Sequence, residues 1–135
     1  MGAMMGRIAA AALIGWVITW WGPVHAGTSL VEASGTYEEE WYQRPVVRGE
    51  LFTFAGQCGR VTVEMTYQTN PAYYIKQWRS SGDVCSYPAA SQTTPFAIEF
   101  DAPTPSVDTI TVTVCRWTMW EPVACGAPST IYTRP

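Results

Sequence analysis

Thr109-Ile110-Thr111-Val112-Thr113-Val114-Cys115-Arg116-Trp117-Thr118-Met119-Trp120-Glu121-Pro122-Val123-Ala124-Cys125-Gly126 decides the fold. Its first half alternates strictly, with Ile110, Val112 and Val114 on one side and Thr109, Thr111 and Thr113 on the other. β-branched residues at period two mark a strand with one face buried. Its second half is a loop, residues 116–124, with a cysteine at each end and two tryptophans and a methionine between them. The whole stretch is expected to be a strand that runs into a disulfide-closed loop and returns as the next strand.

The same pattern recurs upstream. In residues 60–67, Val61, Val63, Met65 and Tyr67 share one face, and Arg60, Thr62, Glu64 and Thr66 the other. Val46 to Phe54 is a strand with Phe52 and Phe54 on one face, and Phe96, Ile98 and Phe100 share a face after Pro95. Residues 72–79 place Tyr74, Lys76 and Trp78 opposite Tyr73, Ile75, Gln77 and Arg79. Val84-Cys85-Ser86-Tyr87 is a short strand, and the last strand starts near Thr130-Ile131-Tyr132. Tyr37 to Tyr42 is the first strand, after a loose lead-in over 27–36. Gly56-Gln57-Cys58-Gly59, Asn70-Pro71 and Ser80-Ser81-Gly82-Asp83 are turns. No helical period of useful length appears after residue 26. Seven or eight short strands predict an all-β fold, an antiparallel β-sandwich of Ig-like or jelly-roll-like kind, with a small barrel as the alternative.

The N-terminus has another character. Arg7 precedes an apolar run from Ile8 to Trp21, Gly22-Pro23 breaks it, and Val24-His25-Ala26 offers small residues at a cleavage site. This is the layout of a secretory signal peptide. The run of 14 residues is shorter than the roughly 20 needed to span a bilayer. The expectation is a signal-peptide helix over 1–26, cleaved after Ala26, and a single domain over 27–135 that is secreted. The rival is a retained membrane anchor.

Charge and histidine content bound the chemistry. The chain has 8 Lys+Arg against 11 Asp+Glu. That balance argues against nucleic acid and against anionic membrane surfaces, which need clustered cations. The single histidine, His25, leaves with the expected signal peptide. The mature chain then has no imidazole for a Ser-His or Cys-His pair or for a metal site. No cofactor and no metal are expected, and the protein is expected not to be an enzyme. Cys58, Cys85, Cys115 and Cys125 are an even set without C-x-x-C spacing, so two disulfides are expected. Cys58–Cys85 with Cys115–Cys125 is the pairing that orders least chain.

Four features are candidates for recognition or catalysis. Trp117, Met119 and Trp120, with Arg116, are interface-type residues in a bridge-closed loop. The competing reading is that they cover one end of the core, as tryptophans in small domains tend to do. Tyr74 with Trp78, or Tyr73, would make a stacking platform for sugar rings; alternation does not tell which face is wet, and the favoured expectation is that Tyr74 and Trp78 face the core with Lys76 snorkelling out. Glu38-Glu39-Glu40 is expected to be a solvated strand edge. Glu121, between Trp120 and Pro122, is a candidate for a carboxylate-based hydrolase, with Asp101, Glu99 or Glu39 as partner. The leading expectation is a non-enzymatic binding module for an unknown protein or glycan. The alternatives are a protease inhibitor that presents the 116–124 loop in extended form, and the hydrolase.

The ending Val112-Thr113-Val114-Cys115 and Cys125-Gly126 resembles that of small secreted two-disulfide β-sandwich proteins of actinobacteria. Seven arginines to one lysine and a single asparagine agree with a GC-rich genome. The resemblance implies the fold and the export, and carries no activity with it.

Overall fold

The computed structural model describes residues 16–40, 44–102 and 106–135. Among them are ten strands and no α-helix: β1 Trp16–His25, β2 Val31–Glu40, β3 Val46–Thr53, β4 Cys58–Asn70, β5 Tyr73–Ser80, β6 Val84–Cys85, β7 Gln92–Glu99, β8 Val107–Trp117, β9 Ala124–Cys125 and β10 Ser129–Thr133. Two antiparallel sheets result, one ordered β1-β2-β3-β7 and the other β10-β8-β4-β5, with β6 beside β4 and β9 beside β8. The all-β sandwich legible in the sequence is the fold of this chain. The count exceeds eight because β1 and the two-residue β9 are additional strands.

The two clearest alternating segments pair with each other. β4 and β8 are antiparallel neighbours, with Val61 opposite Val114, Val63 opposite Val112 and Met65 opposite Ile110. All six side chains are fully buried. Each such burial stabilises the fold by about 1.5–3 kcal/mol relative to exposure. The ladder shifts register between Thr66 and Tyr67, so Val107 faces inward as well despite lying three residues before Ile110. Across the core, the first sheet supplies Val31, Ala33, Tyr37, Val47, Leu51 and Ile98. On β3 the buried face is therefore Val47, Leu51 and Thr53, whereas Phe54 is exposed.

The expected N-terminal helix is not what the described part of that segment forms. Residues 16–25 are strand β1, paired along β2 from Trp16 opposite Glu40 to His25 opposite Glu32. Thr19, Trp21, Val24 and Ala26 are buried in the sandwich. The boundary expected at 26/27 thus falls between a strand and the turn that joins it to the next. His25 sits in this strand, 3.7 Å from Glu32. An apolar run rich in aromatic and β-branched residues satisfies a core strand as well as a signal sequence. Residues 31–36, expected to be loose, are the first half of β2, with Val31 and Ala33 buried.

One row across the first sheet has an unusual composition: Trp21, Gly35, Gly49 and Phe96 lie opposite one another on β1, β2, β3 and β7. A Cβ at Gly35 would fall 1.8 Å from the carbonyl oxygen of Arg48, and one at Gly49 would fall 2.2 Å from that of Ser34. Side chains are excluded at both places, which leaves backbone uncovered on the core side. The rings of Trp21 and Phe96 reach in from the two outer strands, with centroids 6.2 Å apart.

The acidic run is not a uniform solvated edge. Glu38 faces Arg48 at 3.5 Å. Glu39 is buried, accepts a 2.8 Å hydrogen bond from the Tyr37 hydroxyl and lies 3.2 Å from the guanidinium of Arg134. The Tyr132 ring stacks at 4.7 Å on that of Tyr37. Arg134 also donates to the carbonyl of Val107, so the C-terminal end of the described chain is clasped to both sheets. Burial, reinforced by the Glu39 carboxylate, raises the Tyr37 phenol far above its usual 10.0. The same causes, burial first, push Tyr132 up to about 12.

Two predictions follow from this packing. Removing residues 1–26, and with them β1, should cost more than the about 3–5 kcal/mol of a single buried Trp truncation; urea melts of the truncated and full chains check this, and equal stabilities would show β1 to be dispensable. The second concerns alkali. Both phenols have folded pKa values above their unfolded value, so the unfolded chain loses those protons first and the native state loses stability as pH rises. Stability should hold up to about pH 10 and fall from there through 12 and beyond, as read from denaturation midpoints. The Tyr132→Phe variant should show a shallower fall.

Candidate functional site

The loop between Cys115 and Cys125 projects from one end of the second sheet. That end is a row of four strands, β6, β4, β8 and β9. Cys85 is opposite Cys58, Cys58 opposite Trp117, and Cys115 opposite Cys125. The disulfides are Cys58–Cys85 and Cys115–Cys125, the pairing that orders least chain. Each therefore joins directly opposed residues on neighbouring strands. Directly opposed residues share a face, so both bridges lie on the outer face of the sheet, as does Trp117.

Trp117 is half-buried. The Arg60 guanidinium lies 5.3 Å from the centre of its ring and is itself held 3.1 Å from Asp83. Arg116 is part-buried on the other face, within 3.5 Å of the Gln57 side chain and 3.5 Å of Glu121. Gly59, opposite Arg116, has no room for a Cβ, which would sit 2.6 Å from Val31. Gly126, at the loop's exit, abuts the backbone of His25 and Gly27. The base of the loop thus rests on the end of β1.

The tip is a tight turn. The Thr118 hydroxyl accepts from the amides of Trp120, at 3.2 Å, and Glu121, at 3.0 Å, and the Thr118 amide donates to the Glu121 carbonyl at 3.3 Å. Threonine suits this place because its short hydroxyl caps the amides two and three residues on. Met119 and Trp120 stand at the apex, 85% and 87% exposed. The four candidate residues accordingly separate: Arg116 and Trp117 belong to the base, and Met119 and Trp120 to the exposed tip. The extended form that a protease-inhibitor loop would need is replaced over 118–121 by this turn.

Two residues not singled out from the sequence share this end. Phe54, 48% exposed, precedes the turn into β4, and Tyr87, 79% exposed, follows β6. Hydrogen bonds from Gly56 to the Tyr87 carbonyl and from Ser86 to that of Gln57 tie the two turns together. Both were placed inside strands by the sequence pattern, whereas β3 ends at Thr53 and β6 at Cys85, one and two residues before them.

The other candidates lie elsewhere. Tyr73, Tyr74 and Trp78 on β5 are exposed, so the core role expected for Tyr74 and Trp78 is corrected. The first sheet does not extend over β5. Of the carboxylates considered for hydrolysis, Glu121 is held by Arg116 and Glu39 by Arg134, while Glu99 and Asp101 share Arg44 and Asp101 also meets Arg79. The Glu121 side chain is more than half exposed. Among the described residues no cluster of three or more His, Cys, Asp or Glu is arranged to hold a metal ion. Two shallow clefts lie away from the loop, one lined by Gln68, Asn70, Asp108 and Arg134, the other by Arg48, Glu50, Pro95 and Phe96. No family model, curated protein or solved structure matches this chain.

Base and tip should separate in stability measurements. Trp117→Ala removes partial burial and a cation–π contact that is itself worth about 0.5–1 kcal/mol, and should destabilise the fold by about 1–3 kcal/mol. Met119→Ala and Trp120→Ala should stay within about 0.5 kcal/mol of the parent in thermal or denaturant melts.

Proposed function

We propose that the chain is a secreted, non-enzymatic interaction module whose recognition element is the tip of the 116–124 loop. The observation that carries this reading is the exposure of Met119 and Trp120 on a turn fixed at both ends. Soluble monomers seldom present large apolar side chains in this way unless something binds them. The bridge and the Thr118 cap reduce the backbone freedom that binding would otherwise remove. Aromatic and methionine side chains are the usual anchors of such contacts. Phe54 and Tyr87 at the same end would widen the contact. A protein surface or a glycan fits the chemistry of this end, which is apolar with arginines beneath. The two disulfides suit an oxidising, extracellular setting, which supports export.

A glycan array and a panel of extracellular proteases and other proteins test the reading. For any ligand so found, Trp120→Ala should weaken affinity by on the order of 2 kcal/mol, roughly 30-fold, with the melting temperature unchanged. A ligand bound equally well by the Met119→Ala and Trp120→Ala variants would remove the tip from the function. Turnover of a substrate that is lost in a folded Glu121→Gln variant would put the hydrolase reading first.

A further inference from the structure

Single exposed apolar side chains are ordinary, but two large rings held on one open strand face are a feature that binding explains. On β5, Tyr74 and Trp78 are 57% and 58% exposed. Tyr74 lies opposite Gln68 of β4, Lys76 opposite Thr66 and Trp78 opposite Glu64; the register shift of this ladder falls beyond them, between Gln68 and Asn70. One strand further in, Thr66 lies opposite Thr109 and Glu64 opposite Thr111. Directly opposed residues share a face, and Val63, Met65, Ile110 and Val112 occupy the buried one. The rings and these polar side chains therefore lie together on the outer face of the second sheet. Tyr73 and Ile75 belong to the other face of β5.

The composition of this face narrows what it binds. Side chains four residues apart on a strand are about 13 Å apart, too far for one sugar ring to touch both. Between and beside the rings stand an ammonium, a carboxylate, an amide and the hydroxyls of Thr66, Thr109 and Thr111. A protein interface gathers its anchors in an apolar centre depleted of charge, whereas the centre here is Lys76. A saccharide chain has the matching make-up. Each of its rings offers a C–H face to the negative face of an aromatic ring, and hydroxyls at its rim that pair with both donors and acceptors. The charges balance as well. Lys76 and Glu64 are diagonal neighbours of opposite sign, and Arg60 on the same face is paired with Asp83 at 3.1 Å. Such a face has no net field to attract a polyanion, so its electrostatic complement is a neutral chain.

We propose that the outer face of β4 and β5 binds a neutral polysaccharide, with Tyr74 and Trp78 stacking on two of its sugar rings and Gln68, Thr66, Glu64 and Lys76 bonding the hydroxyls between them. The platform is a second surface, apart from the 116–124 loop. That loop is rooted where Trp117 lies opposite Cys58, and Glu64, the nearest platform residue of β4, is about 20 Å further along the strand.

Affinity electrophoresis of the full chain tests this, in native gels containing a mixed-linkage β-glucan, an arabinoxylan or a galactomannan. At least one of these neutral polymers should retard the parent, equally at low and high salt, and its free monosaccharides should not compete. Trp78→Ala and Tyr74→Ala should each weaken binding by about tenfold or more, with melting curves unchanged. Tyr74→Phe, which keeps a ring, and Tyr73→Ala, on the other face of β5, should bind like the parent. Passage of the parent through all three polymers without delay would overturn the proposal. Retardation by polygalacturonate alone, lost on adding salt, would overturn it too. A retardation that Trp120→Ala abolishes and Trp78→Ala does not would place the sugar at the loop tip, which overturns the platform and leaves the reading of the loop standing.

Discussion

The β4–β8 ladder is the contact around which the described part of the fold is arranged. Six inward side chains, Val61, Val63 and Met65 against Val114, Val112 and Ile110, form its dry face. A ladder of this kind fixes its own register, because a slip of one residue would turn Arg60, Thr62 and Glu64 into the core. The first sheet closes over it, with β1, β2 and β3 against β8 and β4. Both disulfides staple the same end of this ladder, and the loop under discussion is its direct continuation. The tip is therefore presented from the end of the ladder that both disulfides hold. β5, paired to β4 alone and beyond the reach of the first sheet, is the strand that this ladder leaves uncovered.

Legibility in the sequence followed how local each cause is. β4 and β8 could be read because period-two alternation of β-branched residues depends only on the segment itself. The disulfide pairing was legible because each bridge closes a short stretch of chain. β1 was obscured by a genuine double meaning: Ile8 to Trp21 is apolar without alternation, and such a run suits a signal sequence and a buried strand alike. Glu39 was misread for the opposite reason. Its burial depends on Arg134, which is 95 residues away, and nothing within the run Glu38-Glu39-Glu40 distinguishes the middle carboxylate from its neighbours. For β5, alternation identified the two faces correctly but not how far the opposite sheet extends, so Tyr74 and Trp78 were assigned to a core that stops short of them.

The candidate loop shows the same division. Its composition drew attention to four residues, of which Met119 and Trp120 lie in the bridge-closed loop while Arg116 and Trp117 are still part of β8. Their separation into base and tip came from Thr118, whose hydroxyl folds the chain back at 118–121 and raises Met119 and Trp120 away from the sheet. Trp117, still in β8, is kept down by Arg60. A strand position and a turn position three residues apart thus give two tryptophans opposite surroundings, something that residue counts between cysteines cannot express.

The N-terminal strand is where the fold meets the cleavage site expected from the sequence. Val24 and Ala26, the small residues that resemble a cleavage site, are also buried in the sandwich, and the backbone of His25 meets Gly126 at the base of the loop. Cleavage after Ala26 would remove the strand that pairs with β2, where Val24 lies opposite Ala33 and Thr19 opposite Tyr37, and would open a new sheet edge along β2. It would also withdraw support from the loop's exit. Burial protects a peptide bond from a protease only after folding, whereas a signal sequence is read before it. β1 is an integral strand of the first sheet, so a cut after Ala26 would have to precede the burial of Trp21, Val24 and Ala26.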